Sequence, residues 1–245
     1  MKHIKLFENF DTNSIDEICE KFKIENYTIN DEGSIDVEGR VFLYGRNLKE
    51  IPLKFNKING DFDISHNTLS NLYNSPKYIT GNFNCSNNSI LTSLEGAPIS
   101  CNLFACTNTI LQSLEGMGTD YNNINLCANN IKNLKGIQNH IKGFLYLSYN
   151  KNLKLLEYFP TVDGVIELQD CPIDVLYKIL NSTNSFYDVL NEFNNFNIMS
   201  NLEDYQPTID MKRFRRFLDL YDLYDITNEQ HELLKRHYKL LRDDF

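Results

Sequence analysis

The sequence predicts an α/β fold: a parallel β-solenoid of about seven turns, closed by a small cap at its N-terminal end and by helices at its C-terminal end. Three observations predict it. Short apolar pairs recur every 20–21 residues between 39 and 173, an asparagine follows most of them at a fixed offset, and the period stops after Cys171-Pro172. A period of this length is the mark of stacked units, each too small to bury its apolar face alone. Asparagine occurs 33 times in 245 residues, and many of these fall in phase with the apolar pairs.

Residues 1–38 read as the N-terminal cap. Met1-Lys2-His3-Ile4-Lys5-Leu6-Phe7-Glu8 starts basic, but its apolar stretch ends at Glu8, so it is not read as a secretory signal. Ser14-x-x-Glu17 reads as a capping box that opens a helix through about Phe22, with Ile15, Ile18 and Phe22 on one face. Tyr27-Thr28-Ile29 and Ile35-Asp36-Val37 flank a polar, glycine-containing turn and read as a β-hairpin.

Residues 39–173 hold the repeats. Phe62-x-Ile64-x-x-Asn67 recurs as Phe83-x-Cys85-x-x-Asn88, Leu103-x-Ala105-x-x-Asn108, Ile124-x-Leu126-x-x-Asn129 and Leu145-x-Leu147-x-x-Asn150. Val41-x-Leu43-x-x-Arg46 and Ile166-x-Leu168-x-x-Cys171 are degenerate end copies. Two apolar residues three positions' span apart make a short strand with one inward face. The asparagine amide then donates to and accepts from backbone groups that would otherwise be unpaired, so Asn67, Asn88, Asn108, Asn129 and Asn150 form a predicted ladder. Further core positions are Leu69 and Leu72, Ile90 and Leu94, Ile110 and Leu114, Ile131 and Leu134. Glycine opens many units, as at Gly39, Gly60, Gly81, Gly143 and Gly164. The period leaves no room for a long helix on the outer side.

This pattern resembles the leucine-rich repeat family, with its L-x-L-x-x-N-x-L core, across about residues 39–173. Gly81-Asn82-Phe83-Asn84-Cys85-Ser86-Asn87-Asn88 and Leu91-Thr92-Ser93-Leu94-Glu95-Gly96-Ala97-Pro98 look like short repeats of a subgroup encoded by tailed bacteriophages, and the opening residues resemble phage protein starts. The resemblance implies a curved sheet whose concave face binds a protein partner, in the cytoplasm of an infected host cell if the chain is viral. The alternative expectation is a structural virion or assembly protein with the array as rigid scaffold. The partner-binding row expected on the concave face is Phe42, Asp63, Asn84, Phe104, Asn125, Tyr146 and Glu167, with Tyr44, His66 and Tyr149 beside it. Seven strands at about 4.8 Å spacing and about 13 Å long expose on the order of 450 Å². A standard interface buries about 800 Å² per partner, so a partner must also touch a cap or the loops.

Residues 174–245 read as a C-terminal helical cap or small helical domain. Helices are expected at 174–180, about 185–196 and 209–224, and after the Thr227-x-x-Gln230 box, the last carrying Leu234, Tyr238 and Leu241. The last two are expected to form an αα-hairpin.

Little in the chain points to catalysis. His231-Glu232-Leu233-Leu234-Lys235 approaches a zinc-protease helix, but Lys235 stands where the second ligand belongs. No cysteine follows Cys171, so the C-terminal helices hold no thiol nucleophile. Six cysteines without a C-x-x-C pair read as structural thiols in a reducing compartment, with Cys106 and Cys127 expected nearest the concave surface. The net charge of −9 argues against nucleic acid, and no apolar run approaches the length of a membrane span. The chain is thus expected to be a monomeric, non-enzymatic, cofactor- and metal-free binding protein.

Overall fold

The structure, a computed structural model, describes residues 12–182, 186–196, 198–202, 206–221 and 223–243. It is a mostly parallel β-solenoid of about six turns, with five helices among the described residues. The chain forms two compact units. The first runs to Thr109 and includes 116–124; the second comprises 110–115 and the chain from Asn125 onward.

In the first unit, α1 (Thr12–Phe22) buries Ile15 and Cys19. Ser14 lies inside this helix rather than at its cap, since Thr12 is already helical. Strands β1 (Tyr27–Ile29) and β2 (Ile35–Val37) pair antiparallel, Tyr27 opposite Val37. Gly33 takes φ +71° in the turn between them, a conformation open to glycine without steric cost. From β2 onward each turn supplies two strand segments. They are β3 (Val41–Phe42), β4 (Phe55–Ile58), β5 (Phe62–Asp63), β6 (Tyr78–Ile79), β7 (Asn82–Asn84), β8 (Ser100–Ala105) and β9 (Asp120–Asn125). One parallel row runs β2-β4-β6-β8 and a second runs β3-β5-β7-β8, while β9 also pairs with β8.

Glycine sets the bend between the two rows. A Cβ on Gly81 would lie 2.6 Å from the Gly60 carbonyl oxygen, so successive backbones stack too closely for any side chain. The segments Cys101–Phe104 and Tyr121–Ile124 lack this glycine and are one residue shorter than Ile79–Phe83. There the two rows fuse into the continuous six-residue strands β8 and β9.

That shortening corrects the expected phase of one repeat. Phe83 pairs with Phe104, not with Leu103, and the Cys85 N–H donates to the Ala105 oxygen at 2.9 Å. Phe104 and Cys106 therefore point inward and are fully buried, so neither lies on the outer face where Phe104 and Cys106 were expected. Thr109 takes the buried ladder place, and Asn108 is exposed. Because strand side chains alternate, a one-residue slip exchanges the two faces. The chosen phase aligns an aromatic column: Phe62 with Phe83 at 6.0 Å between centroids, Phe83 with Phe104 at 5.3 Å, and Phe104 with Tyr121 at 4.8 Å. Separately, the loop after Asn88 is one residue longer than the loop after Asn67, and it buries Leu91 rather than Ile90, which is 49% exposed.

The amides at the remaining ladder positions bond the backbone. In the first unit, Asn67 accepts from the Arg46 and Leu48 N–H groups and donates to the Leu43 and Ile64 oxygens. Asn88 accepts from the Leu69 N–H and donates to the Ile64 and Cys85 oxygens.

In the second unit, Asn129 donates to the Leu126 oxygen. Asn150 accepts from the Ile131 N–H and donates to the Leu126 and Leu147 oxygens. The Cys171 thiol stands in for the next amide and donates to the Leu147 oxygen at 2.9 Å. Here β10 (His140–Ile141) pairs parallel with β12 (Thr161–Val162), and β11 (Leu145–Tyr146) with β13 (Ile166–Glu167). As in the first unit, the core side of this unit buries Leu111 rather than Ile110, which is 41% exposed.

The C-terminal part of the second unit contains α2 (Asp174–Leu180), α3 (Phe186–Asn195), β14 (Met199–Ser200), β15 (Thr208–Asp210), α4 (Met211–Leu220), α5 (Asn228–His237) and β16 (Lys239–Leu241). Thr227 and Gln230 form the expected reciprocal cap of α5. The last helix stops sooner than expected, and Tyr238 and Leu241 are extended. β16 pairs parallel with β15, and β14 antiparallel with β15, so a three-stranded sheet stands where only helices were expected. Pairing with β15 supplies backbone partners for Lys239–Leu241 once the helix has ended. Tyr238 is buried and its hydroxyl donates to the Lys154 oxygen at 2.9 Å, tying this sheet to the preceding turns of the same unit.

Candidate partner-binding surface

Each solenoid turn ends its second strand in the same way: one outward residue, one inward residue, then a bend. The residue before the ladder position has positive φ in every turn: Gly45, His66, Asn87, Asn108, Ala128, Tyr149 and Asp170. Asparagine, aspartate and histidine tolerate this conformation better than other non-glycine residues, while a tyrosine there, as at Tyr149, is strained. Since every turn requires the bend, the geometry at His66 and Tyr149 is a property of the repeat.

In the first unit the outward residues differ in what they are free to contact. The Asp63 carboxylate accepts from the Ser65 N–H at 2.9 Å and the Ser65 hydroxyl at 2.6 Å, and Asn84 donates to its other oxygen at 3.3 Å. The Asn84 oxygen accepts from the Ser86 N–H. These two side chains are half-buried and cap their own strand ends. Ala105 occupies the outward position expected for Phe104. By contrast, Phe42 and Tyr44 are 52% and 56% exposed. The Tyr44 ring meets His66 edge-on at 4.9 Å, and His66, Asn87 and Asn108 continue as a hydrogen-bonded side-chain row along the left-handed positions.

In the second unit the Asn125 oxygen accepts from the Cys127 N–H, repeating the Asp63 arrangement. Tyr146 is half-buried and stacks on Phe144 at 4.2 Å, Tyr149 is 46% exposed, and Glu167 is exposed at the outward position of β13. The sequence reading missed Phe144 and Val165, which precede the inward positions of β11 and β13; Val165 is 57% exposed. An apolar residue one place before an inward strand position was the available signal.

Burial pushes up the thiols of Cys19, Cys85, Cys101 and Cys127, and that of Cys171 to about 12. Since the thiolate is the reactive form, a thiol reagent at pH 8 should label the native protein slowly, with the half-buried Cys127 reacting first. Denaturation should then release all six. Rapid labelling of two or more thiols in the native state would contradict this burial pattern.

Among the described residues, no group of three His, Cys, Asp or Glu side chains is placed to hold a metal ion, and no helix is long and apolar enough to cross a membrane. The chain matches no family model, no curated protein and no solved structure.

Proposed function

We propose that this chain is a leucine-rich-repeat-type binding protein without catalytic chemistry, and that its contact with a protein partner centres on Phe42, Tyr44 and His66. The observation that carries this reading is the exposure of Phe42, at an outward position where the next two turns place Asp63 and Asn84 tied to their own backbone, and of Tyr44 beside it. Exposed aromatics are favoured anchors at interfaces, because they bury much area at small entropic cost. Asp63 and Asn84 supply a polar rim in this reading rather than anchors. The backbone-bonded amides of Asn67 and Asn88 support the leucine-rich-repeat assignment, since they satisfy the backbone as that motif requires. The short-repeat resemblance supports a phage-encoded protein acting in the infected cell's cytoplasm.

The test begins with a partner captured from infected cells by the full chain and then purified. Phe42→Ala and Tyr44→Ala should each weaken its binding by more than about 1 kcal/mol, with the melting temperature unchanged. Unchanged affinity in both variants would remove this patch from the interface.

A further inference from the structure

The second unit contains a cleft of about 1010 Å³ that the partner-binding reading does not use. One side carries Tyr149, Lys151 and Lys154, from the bend and loop after β11; the other carries Arg236 and His237 from the end of α5. Lys154 is only 9% exposed, and burial lowers its pKa. His237 is likewise held below its ordinary value, by burial first and then by the neighbouring charges of Lys154 and Arg236. Lys154 and Arg236 are therefore close enough to His237 to act on it. Among the described residues, two carboxylates also face the cleft. Asp174 is already held by Lys178 at 2.6 Å, which leaves Asp170 beside Lys151 and Arg236. A local excess of positive charge in a chain of net charge −9 is the reverse of the overall balance.

We propose that this cleft binds a phosphate-bearing small molecule of about nucleotide size. Arg236 presents a planar donor fork suited to two phosphate oxygens, while Lys151 and Lys154 act as point charges. Lys154 is buried, so its charge is screened by solvent less than one on an open surface. The volume is at the upper end of ordinary ligand pockets, about 300–1,000 Å³. It holds far more than an inorganic ion, and Tyr149 and Val175 offer aromatic and aliphatic surface to the rest of the molecule.

Isothermal titration of the full chain with ATP and with inorganic pyrophosphate, at low ionic strength with EDTA present, tests the assignment. Saturable binding is expected with Kd below about 1 mM. The Lys151→Gln and Arg236→Gln variants change exposed side chains and should each weaken binding about tenfold without altering the thermal melt. Adenosine, which lacks the phosphates, should bind at least about tenfold more weakly than ATP. No saturable binding of either phosphate probe, equal affinity for adenosine, or unchanged affinity in both variants would overturn the proposal. None of these outcomes bears on Phe42 or Tyr44, so the two sites are tested independently.

Discussion

Phe104→Ala should lower the stability of the protein by about 3–5 kcal/mol, the range for removing a fully buried aromatic ring. Phe104 has no exposed surface and lies between Phe83 and Tyr121, at 5.3 and 4.8 Å between ring centroids. The neighbouring backbones are locked in parallel register, Phe83 opposite Phe104, so the space cannot collapse readily around the missing ring. The aromatic column would also lose two ring contacts at once. Leu103→Ala removes a side chain on the opposite face of the same strand, half-buried rather than core, and should cost much less. Urea denaturation of the two variants decides between the two phases of this repeat. A Leu103→Ala loss as large as that of Phe104→Ala would refute the inward assignment of Phe104.

Asn88→Ala should cost about 3 kcal/mol, and Asn108→Ala no more than about 0.5 kcal/mol. Asn88 is fully buried, and its removal leaves the Leu69 N–H and the Ile64 and Cys85 oxygens without its amide. No water reaches that site in the folded protein, so the loss is the desolvation cost of the backbone groups. Asn108 is exposed; its amide donates to the Asn87 side chain at 2.6 Å, and water can replace that bond. The two residues look equivalent in the sequence, each five places after the start of an alternating segment. Equal denaturation midpoints for the two variants would contradict the ladder as the structure draws it.

The amino-acid sequence by itself determined the repeat, its period, and the inward positions of most turns. Phe62 and Ile64, Phe83 and Cys85, Ile124 and Leu126, and Leu145 and Leu147 are all buried. These are strictly local patterns: alternation over three residues decides which face is inward, and the asparagine that follows marks the bend. The β1–β2 hairpin and the Thr227–Gln230 cap were legible for the same reason, since each is specified within a few residues. Tertiary structure alone decided the phase around Phe104. Leu103-x-Ala105-x-x-Asn108 fits the local motif, but only stacking on Phe83 and Tyr121 makes the Phe104 phase the better one. It likewise decided the sheet of β14, β15 and β16, because Thr208–Asp210 and Lys239–Leu241 are too short to form strands without each other. The site divides along the same line. That Phe42 and Tyr44 face outward follows from alternation, whereas the commitment of Asp63, Asn84 and Asn125 to backbone N–H groups depends on where each bend places its own donors. The cleft beside Lys154 and Arg236 joins residues more than eighty positions apart, and no pattern along the chain records the packing of α5 that brings them together.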